Sequence, residues 1–310
     1  MIGLSTAWLT EKEGMTGGRV IEEILDLGFR AVELEYRVTA AMFRDMAPLI
    51  AMSNLRVWSV HNFFPLPADL PPHRASGDLF LLSSPDDDER NRAVQYTIRT
   101  IQSAHDLGAS AVVLHLGRVD MDPEHGRFAE LFRGKTLGTP QGKHFRESKL
   151  LERREKRKPY VEAVLRSLDD LTGEAARLGI GLGIENRYSY HEIPDFEEIG
   201  HILTRFSGGP LSYWHDMGHA YVQERLGFIE PETLLRTYGK TLLGVHIHDA
   251  HGLDDHRAPG TGDIDFSTLK ASIQAAPIKI LEVHKKADRH QLCRGRELVE
   301  RIALTDDRAL

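Results

Sequence analysis

The sequence is poor in the features that mark secreted and membrane proteins. It contains a single cysteine, Cys293, so no disulfide can form within the chain, and we expect a reducing compartment, the cytoplasm. No run of about 18 apolar residues occurs, which argues against a transmembrane helix and a membrane partner. The first residues, Met1–Thr6, lack a basic segment followed by an apolar one. We therefore expect no signal peptide.

A nucleotide-binding motif and a basic surface are also missing. No GxGxxG pattern follows the first predicted strand, which argues against a dinucleotide-binding fold. The 310 residues include 39 Lys and Arg against 46 Asp and Glu, a formal net charge of −7. Such a chain is a poor general binder of nucleic acid, although a local basic patch would still bind one. Hydrophobic residues make up 41% of the chain, which is ample for a core and excludes disorder as the main state.

Short apolar stretches alternate with amphipathic ones along the whole chain. Eight stretches rich in Val, Ile and Leu predict strands: Ile2–Trp8, Ala31–Glu35, Arg56–His61, Ala111–His115, Gly179–Glu185, Leu211–Asp216, Leu242–His248 and Ile278–Val283. Seven amphipathic stretches predict helices: Gly18–Leu27, Glu89–Leu107, Pro159–Leu178, Phe196–Phe206, Pro231–Tyr238, Phe266–Gln274 and Arg296–Leu304. Eight strand–helix units favour closure of a parallel sheet, so we predict an α/β fold, a (β/α)8 TIM barrel, as one domain over residues 1–310.

Two long segments, after predicted strands 3 and 4, do not fit this repeat. They are Phe63–Asp88, which is rich in proline, and Arg118–Lys158; unstructured insertions of this length are usually functional loops or disorder. We interpret residues 118–158 as a candidate lid or oligomer contact, so a homo-oligomer is one expectation. Within it, Lys143–Lys158 has eight basic and three acidic residues. Their interleaving favours a solvated helix face over contacts with nucleic-acid phosphates.

Histidine is abundant, with 16 residues against 8 Tyr and 3 Trp, and several histidines lie where predicted strands end. Six strands carry such a polar group at or near the carboxyl end: His61, His115, Glu185, Asp216, His246 and Glu282. In a parallel barrel all these ends open onto one face, where active sites are built. Carboxylates and imidazoles buried together need a cation between them. Mixed His and carboxylate ligands suit Zn²⁺, Mn²⁺, Fe²⁺ or Co²⁺ better than Ca²⁺, so the pattern predicts a metal site.

Several short motifs, in this order and at these strand ends, resemble a known superfamily. They are Ile184-Glu-Asn186, His215-Asp-Met-Gly-His219, His246-Ile-His-Asp249, Asp254-Asp-His256 and Pro259-Gly-Thr-Gly-Asp-Ile-Asp265. The sequence resembles the xylose-isomerase-like TIM barrels, which include sugar isomerases and epimerases and the apurinic-site endonuclease IV group. The resemblance implies four ligands of a catalytic metal: Glu185, Asp216, His246 and Glu282. The endonuclease branch implies further metal positions: His61, His115, His219, Asp254 and His256. Together they imply one to three divalent ions, with Mn²⁺ or Zn²⁺ preferred.

The function that we favour from the sequence is an isomerase or epimerase of carbohydrate metabolism. Its substrate is a sugar, a polyol or a sugar phosphate, and the metal stabilises an ene-diolate while Glu185 and Glu282 take and return a proton. We expect this small molecule to contact His219, Arg187, Tyr188 and Phe63.

Other functions remain open at this stage. The alternative enzyme is an endonuclease IV-like phosphodiester hydrolase acting on DNA. A dehydratase, and a metal-dependent sugar-binding barrel that needs no general base, are also compatible with the motifs.

Overall fold

The computed structural model describes residues 1–304, and its centre is a closed barrel of eight parallel strands. In chain order the strands are β1 (Gly3–Ser5), β2 (Ala31–Leu34), β3 (Arg56–His61), β4 (Ala111–Leu114), β5 (Gly181–Glu185), β6 (Leu211–Asp216), β7 (Leu242–Ile247), β8 (Asp249–His251), β9 (Asp254–Arg257) and β10 (Ile278–Leu281). Strands β1 to β7 pair with their neighbours in sequence, and β10 closes the barrel between β7 and β1. Strands β8 and β9 form a separate antiparallel pair. The predicted (β/α)8 barrel is confirmed.

Helices surround the barrel. They are α1 (Ala7–Thr10), α2 (Gly17–Asp26), α3 (Ala40–Met52), α4 (Asp87–Asp106), α5 (His125–Arg133), α6 (Pro140–Lys156), α7 (Lys158–Leu178), α8 (Phe196–Arg205), α9 (Met217–Leu226), α10 (Thr233–Tyr238), α11 (Lys270–Ala275) and α12 (Arg289–Leu304). Each predicted helix corresponds to one of these, whereas α1, α3, α5, α6 and α9 were not predicted. The first strand ends at Ser5 rather than at Trp8, because the chain turns into α1. No helix within residues 1–304 has both the length and the apolar composition needed to cross a bilayer.

The apolar side chains divide into an inner and an outer layer, because successive residues of a strand face opposite sides. Ala111, Val113, Trp214 and Ile280 belong to a small buried cluster that is separate from the main core. The main core instead includes alternate strand residues and the inward faces of the helices. Trp214 lies edge-on to His246, with ring centroids 5.1 Å apart. The small cluster therefore places an apolar side chain directly against the carboxyl-end residues of the barrel.

Residues 118–158 contain two helices, α5 and α6, so this insertion is structured. Helix α6 begins with Pro140, and the Thr139 side chain accepts a hydrogen bond from the Gly142 N–H at 3.2 Å, which satisfies a free donor of the first turn. Lys149 and Lys156 donate to Glu152 at 2.6 and 2.8 Å. This part of the basic run is a solvated helix face, as predicted.

Arg153 departs from that interpretation, because it is buried. Its guanidinium forms two hydrogen bonds with the Glu198 carboxylate, at 2.7 and 2.9 Å. It also donates to Asp195 and to the Glu192 carbonyl oxygen. Asp195 caps the first turn of α8, and Glu198 completes the capping box. Arg153 therefore docks the inserted helix α6 onto the barrel.

Replacing Arg153 by alanine is expected to lower the free energy of unfolding by about 3–5 kcal/mol, because Glu198 would keep a buried charge without its partner. The matched control is Arg154→Ala on the same helix, where the side chain is exposed and the expected change is within about 0.5 kcal/mol. Urea denaturation of both variants measures the difference. Equal losses in the two variants would show that α6 is not docked by this ion pair.

Candidate metal centre

Four side chains converge at the carboxyl ends of four successive barrel strands. Glu185 and Asp216 are the last residues of β5 and β6, His246 lies near the end of β7, and Glu282 directly follows β10. The Nδ1 atom of His246 lies 2.6 Å from Glu185 Oε1, 3.0 Å from Glu282 Oε2 and 3.7 Å from Asp216 Oδ2. All four residues are buried. The structure thus brings together the four residues that the resemblance implies as metal ligands.

The other ring nitrogen of His246 is held by a buried carboxylate, Glu33 of β2. His246 Nε2 lies 3.1 Å from both oxygens of Glu33, which also accepts a hydrogen bond from Ser59 Oγ at 2.7 Å. Because the Glu33 carboxylate can only accept, it holds a proton on Nε2. Nδ1, which faces the three carboxylates, is then the nitrogen that a cation would bind in place of a proton. This arrangement of a carboxylate behind a ligating histidine is common at metal sites.

The electrostatics of this cluster fit a divalent cation. Burial alone would lower the pKa of His246, but the charges of Glu282, Glu33 and Glu185 hold that pKa well above its ordinary value. Burial likewise would raise the pKa of Glu185, but His246 and His61 hold it below its ordinary value. One imidazolium cannot balance this many buried carboxylates. A nitrogen ligand among three carboxylates is a donor set for Zn²⁺ or Mn²⁺.

A second group of imidazoles adjoins Glu185. His115 Nε2 lies 2.8 Å from Glu185 Oε2, and His61 Nε2 lies 3.7 Å from the same oxygen. His61 Nδ1 donates to the Asn62 carbonyl oxygen at 3.0 Å, whereas His115 Nδ1 lies 3.3 Å from Asp78 Oδ2 but forms no hydrogen bond. Ligand atoms of His61, His115 and Glu185 lie within 4.8 Å of one another. The group has the spacing of a further ion site.

The first turn of α9 brings a third group to the same face. Asp216 caps this helix and accepts a hydrogen bond from the His219 N–H at 2.7 Å, while His219 Nδ1 donates to the Asn186 carbonyl oxygen at 3.1 Å. Gly218 lets the turn approach His248, because a Cβ at that position would lie 2.1 Å from the imidazole ring. The Asp-Met-Gly-His motif therefore serves to place His219 beside the centre.

His248 belongs to this group but was not predicted. Its Nδ1 accepts a hydrogen bond from the His256 N–H at 2.9 Å, so the proton of the neutral ring lies on Nε2. That nitrogen lies 2.9 Å from both oxygens of Asp216. His248 therefore orients this carboxylate, and it also belongs to a group with Asp216, His219 and His256 whose ligand atoms lie within 4.8 Å of one another.

Asp254 is not brought to the centre, in contrast to the sequence prediction. Its carboxylate forms ion pairs with Arg257, at 3.1 Å, and with Lys286. His256 has a positive φ of 54°, which breaks the alternation of side chains along β9. Asp255 therefore faces the site beside His256, with 3.1 Å between Asp255 Oδ1 and His256 Nδ1.

A cavity of about 340 Å³ lies over these groups, and its lining includes Tyr36, Arg187, Tyr188, His219, Glu282 and His284. Three of the four predicted substrate contacts, His219, Arg187 and Tyr188, line it. Phe63 does not; it is 1% exposed and packs edge-on against Phe80 in the hydrophobic core, with ring centroids 5.4 Å apart. The Phe63 side chain, which follows β3, packs into the hydrophobic core and therefore does not reach the cavity.

The comparisons with known proteins agree with this geometry. The family model described as xylose isomerase-like TIM barrel matches residues 21–301. The chain belongs to this family. No curated protein sequence matches the chain.

Solved structures of xylose isomerase-like barrels superpose on nearly the whole chain. One is a D-tagatose 3-epimerase-like protein, with a TM-score of 0.66, 18% identity, and coverage of 97% of this chain and 96% of that chain. Another is the 3-keto-D-glucoside 4-epimerase from E. coli, with a TM-score of 0.67, 15% identity, and 97% and 98% coverage. A third is D-psicose 3-epimerase from Clostridium cellulolyticum H10, with a TM-score of 0.63, 14% identity, and 97% coverage of each chain. At these identities the likeness shows the fold.

Within this xylose isomerase-like barrel, Glu33→Gln is expected to weaken Mn²⁺ or Zn²⁺ binding by about 10- to 100-fold, because the amide can donate to His246 and no longer fixes its tautomer. Ser59→Ala, which removes one hydrogen bond from Glu33, should have a smaller effect, and the exposed Glu22→Gln should have none. Titration calorimetry with the metal-free protein gives the three affinities. Unchanged affinity in Glu33→Gln would mean that the carboxylate does not support the ligand.

The loop after β5 of this barrel contains a buried histidine, His191. Burial, as the largest effect, lowers the pKa of His191 to about 4, whereas an unperturbed histidine titrates near pH 6.5. Between these values the unfolded chain binds a proton that the folded chain does not. Stability should therefore fall as the pH falls from about 6.5 to about 4, by about 3 kcal/mol from this group. His191→Gln should lose less stability than the unchanged protein between pH 7 and pH 4, as measured by urea denaturation. Parallel pH profiles would contradict the assignment.

Proposed function

We propose that this protein is a divalent-metal-dependent sugar isomerase or epimerase. The observation that carries the proposal is that Glu185 and Glu282 line one cavity while also facing His246 Nδ1. Glu185 and Glu282 come from β5 and from the end of β10, which are the outer two of four neighbouring strands. Asp216 and His246 come from the two strands between them. Two carboxylates on either side of a ligand set are placed to act on a substrate held between them.

In this proposal Glu185, Asp216, His246 and Glu282 hold the ion, and Mn²⁺ or Zn²⁺ suits the set. When bound, the ion polarises a substrate carbonyl and stabilises the negative charge that develops on its oxygen. Burial would raise the pKa of Glu282, but the charge of and hydrogen bond from His246 hold it well below its ordinary value. Glu282 is therefore ionised and able to take a proton from the carbon beside the carbonyl.

The fate of that proton sets the reaction type. If Glu185, after taking a proton from solvent, protonates the opposite face of the same carbon, the product is an epimer. If the proton held by Glu282 goes to the neighbouring carbon while the hydroxyl proton moves to the former carbonyl oxygen, the product is an isomer. His219 and His256, which also line the cavity, are placed to hydrogen-bond substrate hydroxyls and hold the reacting carbon near the two carboxylates.

The charge of the cavity supports an unphosphorylated sugar as substrate. Arg187 supplies the guanidinium among the described lining residues, and it already forms ion pairs of 2.7 Å with Asp78 and Glu192. Glu185, Glu282 and Asp255 line the same space. A phosphate would lie beside these three carboxylates and an arginine that is already paired with two others, whereas neutral hydroxyls can hydrogen-bond to all of these groups. Two of the three structures described above are of sugar epimerases and the third is of a D-tagatose 3-epimerase-like protein, which is consistent with this substrate class.

Exchange of a substrate proton with solvent tests the proposal directly. The metal-free protein is loaded with Mn²⁺ or Zn²⁺ and incubated in D₂O with D-tagatose, D-psicose, L-ribulose or a 3-keto-D-glucoside, and deuterium incorporation is followed by NMR. We expect exchange with at least one sugar, and none without metal. No exchange with any of these sugars under either metal would overturn the proposal. Sugar binding without exchange would instead indicate a binding protein.

Metal-dependent hydrolysis of a phosphodiester is the second candidate. The further imidazole groups, with His61 and His115 beside Glu185 and with His219 near Asp216, are the observation that favours it, because clustered ions activate water and neutralise a leaving oxygen. The turn of Asp254 away from the centre removes one donor from that arrangement. Cleavage of an abasic-site duplex by the metal-loaded protein, without sugar exchange, would favour this second function.

A further inference from the structure

A second cavity, which we call the aromatic cavity, lies beside the metal centre. Its volume is about 450 Å³, and its lining includes Phe128, Tyr188, Tyr190, Leu226, Phe228 and Leu253. None of the described residues that line it carries a carboxylate, an ammonium or a guanidinium group. His125 and Ser189 are its polar side chains among the described lining residues, so a ligand there would be recognised mainly by apolar and stacking contacts, which suit an uncharged aromatic or aliphatic group.

The walls of the aromatic cavity are fixed by ring packing. Phe128 lies 5.4 Å from Tyr190 and 5.2 Å from Phe228, and Tyr190 stacks on Phe228 at 4.9 Å, measured between ring centroids. These rings form a hydrophobic cluster separate from the barrel core. A pocket of this volume, open to solvent on one side and walled by rings that pack on one another, has the properties of a preformed binding site.

Tyr188 connects the aromatic cavity to the metal centre. It lines both cavities, and its hydroxyl donates to the Leu253 carbonyl oxygen at 2.7 Å, which fixes the ring. The ring is edge-on to the imidazole of His219, with centroids 6.0 Å apart. A sugar that contacts His219 would therefore lie beside Tyr188, and a substituent on that sugar could pass into the aromatic cavity.

The inserted segment supplies part of this second pocket. Phe128 belongs to α5, and Phe145 of α6 packs on it at 5.0 Å between ring centroids. Arg153 docks α6 on the barrel. The segment that exceeds the simple strand–helix repeat is thus held in place beside the catalytic face, where it forms an apolar wall.

We propose that the aromatic cavity binds the uncharged, apolar aglycone of a glycoside whose sugar ring lies over the metal centre. This inference rests on the proposed function and narrows its substrate from sugars in general to sugars that carry an apolar substituent. The sugar ring supplies the oxygens for the metal centre, and the aglycone packs against Phe128, Tyr190 and Phe228.

Binding of two matched ligands tests the proposal. Calorimetry on the Mn²⁺-loaded protein compares methyl 3-keto-β-D-glucoside with its phenyl analogue, which differ in the apolar group alone. We expect the phenyl compound to bind at least about tenfold more tightly, the gain typical of filling an apolar pocket. Ala129→Trp, which fills the aromatic cavity, should abolish that gain and keep the affinity for the methyl compound. Glu130→Trp, exposed on the same helix, is the matched control and should keep the gain.

The outcomes separate this inference from the proposed function. The aglycone site is rejected if the unchanged protein binds the two ligands equally, or if the Ala129→Trp variant still binds the phenyl compound more tightly than the methyl compound. Failure to bind either glucoside also overturns it, and sugar exchange in D₂O then decides independently whether the isomerase or epimerase function stands. If Ala129→Trp does not fold, Phe228→Ala replaces it. Removal of the Phe228 ring should reduce the ratio of phenyl to methyl glucoside affinity at least severalfold. An unchanged ratio rejects the site.

Discussion

Glu282→Gln is expected to slow sugar-proton exchange by about 10²- to 10⁴-fold, the usual contribution of a general base. The amide cannot accept a proton from carbon at neutral pH, although it keeps the volume of the side chain. The same loss is expected for Glu185→Gln. Rates are measured in D₂O by NMR with the metal-loaded proteins, and Glu297→Gln, exposed on α12, is the control that should retain full activity.

Because both glutamates also face the metal centre, metal content must be measured with each rate. Glu282→Asp keeps the carboxylate but retracts it by one methylene, so it should bind metal and still exchange slowly. A glutamine variant that binds metal fully and exchanges at the original rate would show that Glu282 is not the base. A variant that recovers its rate in excess metal would show that Glu282 acts only as a ligand.

Removal of the divalent ion is expected to abolish exchange and to lower thermal stability. Without a cation, the carboxylates of Glu33, Glu185, Asp216 and Glu282 are balanced by imidazolium protons alone. A ligand present at 1,000 times its dissociation constant stabilises the folded state by about 4 kcal/mol. Thermal unfolding of the chelator-treated protein, with and without added Mn²⁺ or Zn²⁺, measures this difference.

The control for metal removal is His246→Ala, which lacks the central nitrogen ligand. Added metal should stabilise this variant far less than the original protein, and should not restore exchange. A chelator-treated protein with unchanged unfolding temperature and unchanged exchange would reject a metal-dependent function.

The barrel and its polar strand ends were predictable because both follow from local patterns. Buried parallel strands read as short apolar runs, and parallel closure places their carboxyl ends on one face. This rule placed six polar residues at one mouth of the barrel, and the resemblance to xylose-isomerase-like barrels then singled out Glu185, Asp216, His246 and Glu282 as ligands. Glu33 was not selected, since it lies within a strand rather than at its end; an acidic residue between Val32 and Leu34 is the signal that could have found it.

Other differences arose where tertiary structure overrides local pattern. Asp255 rather than Asp254 faces the cavity, next to His256 with its positive φ, and no spacing rule in the sequence indicates this. About half of the residues of helix α6 are charged, and its docking by the buried Arg153 depends on Asp195 and Glu198, at the start of α8 and 42 to 45 residues away. Long-range ion pairs of this kind leave no periodic trace.

The four central ligands come from one half of the barrel, whereas the long segments follow β3 and β4 in the other half. This separation has an evolutionary consequence. Descendants of such a barrel can lengthen, shorten or replace the connections after β3 and β4, and so acquire new specificities, while the reactive half stays intact. Substrate specificity can then change while the strands that carry the four central ligands stay the same.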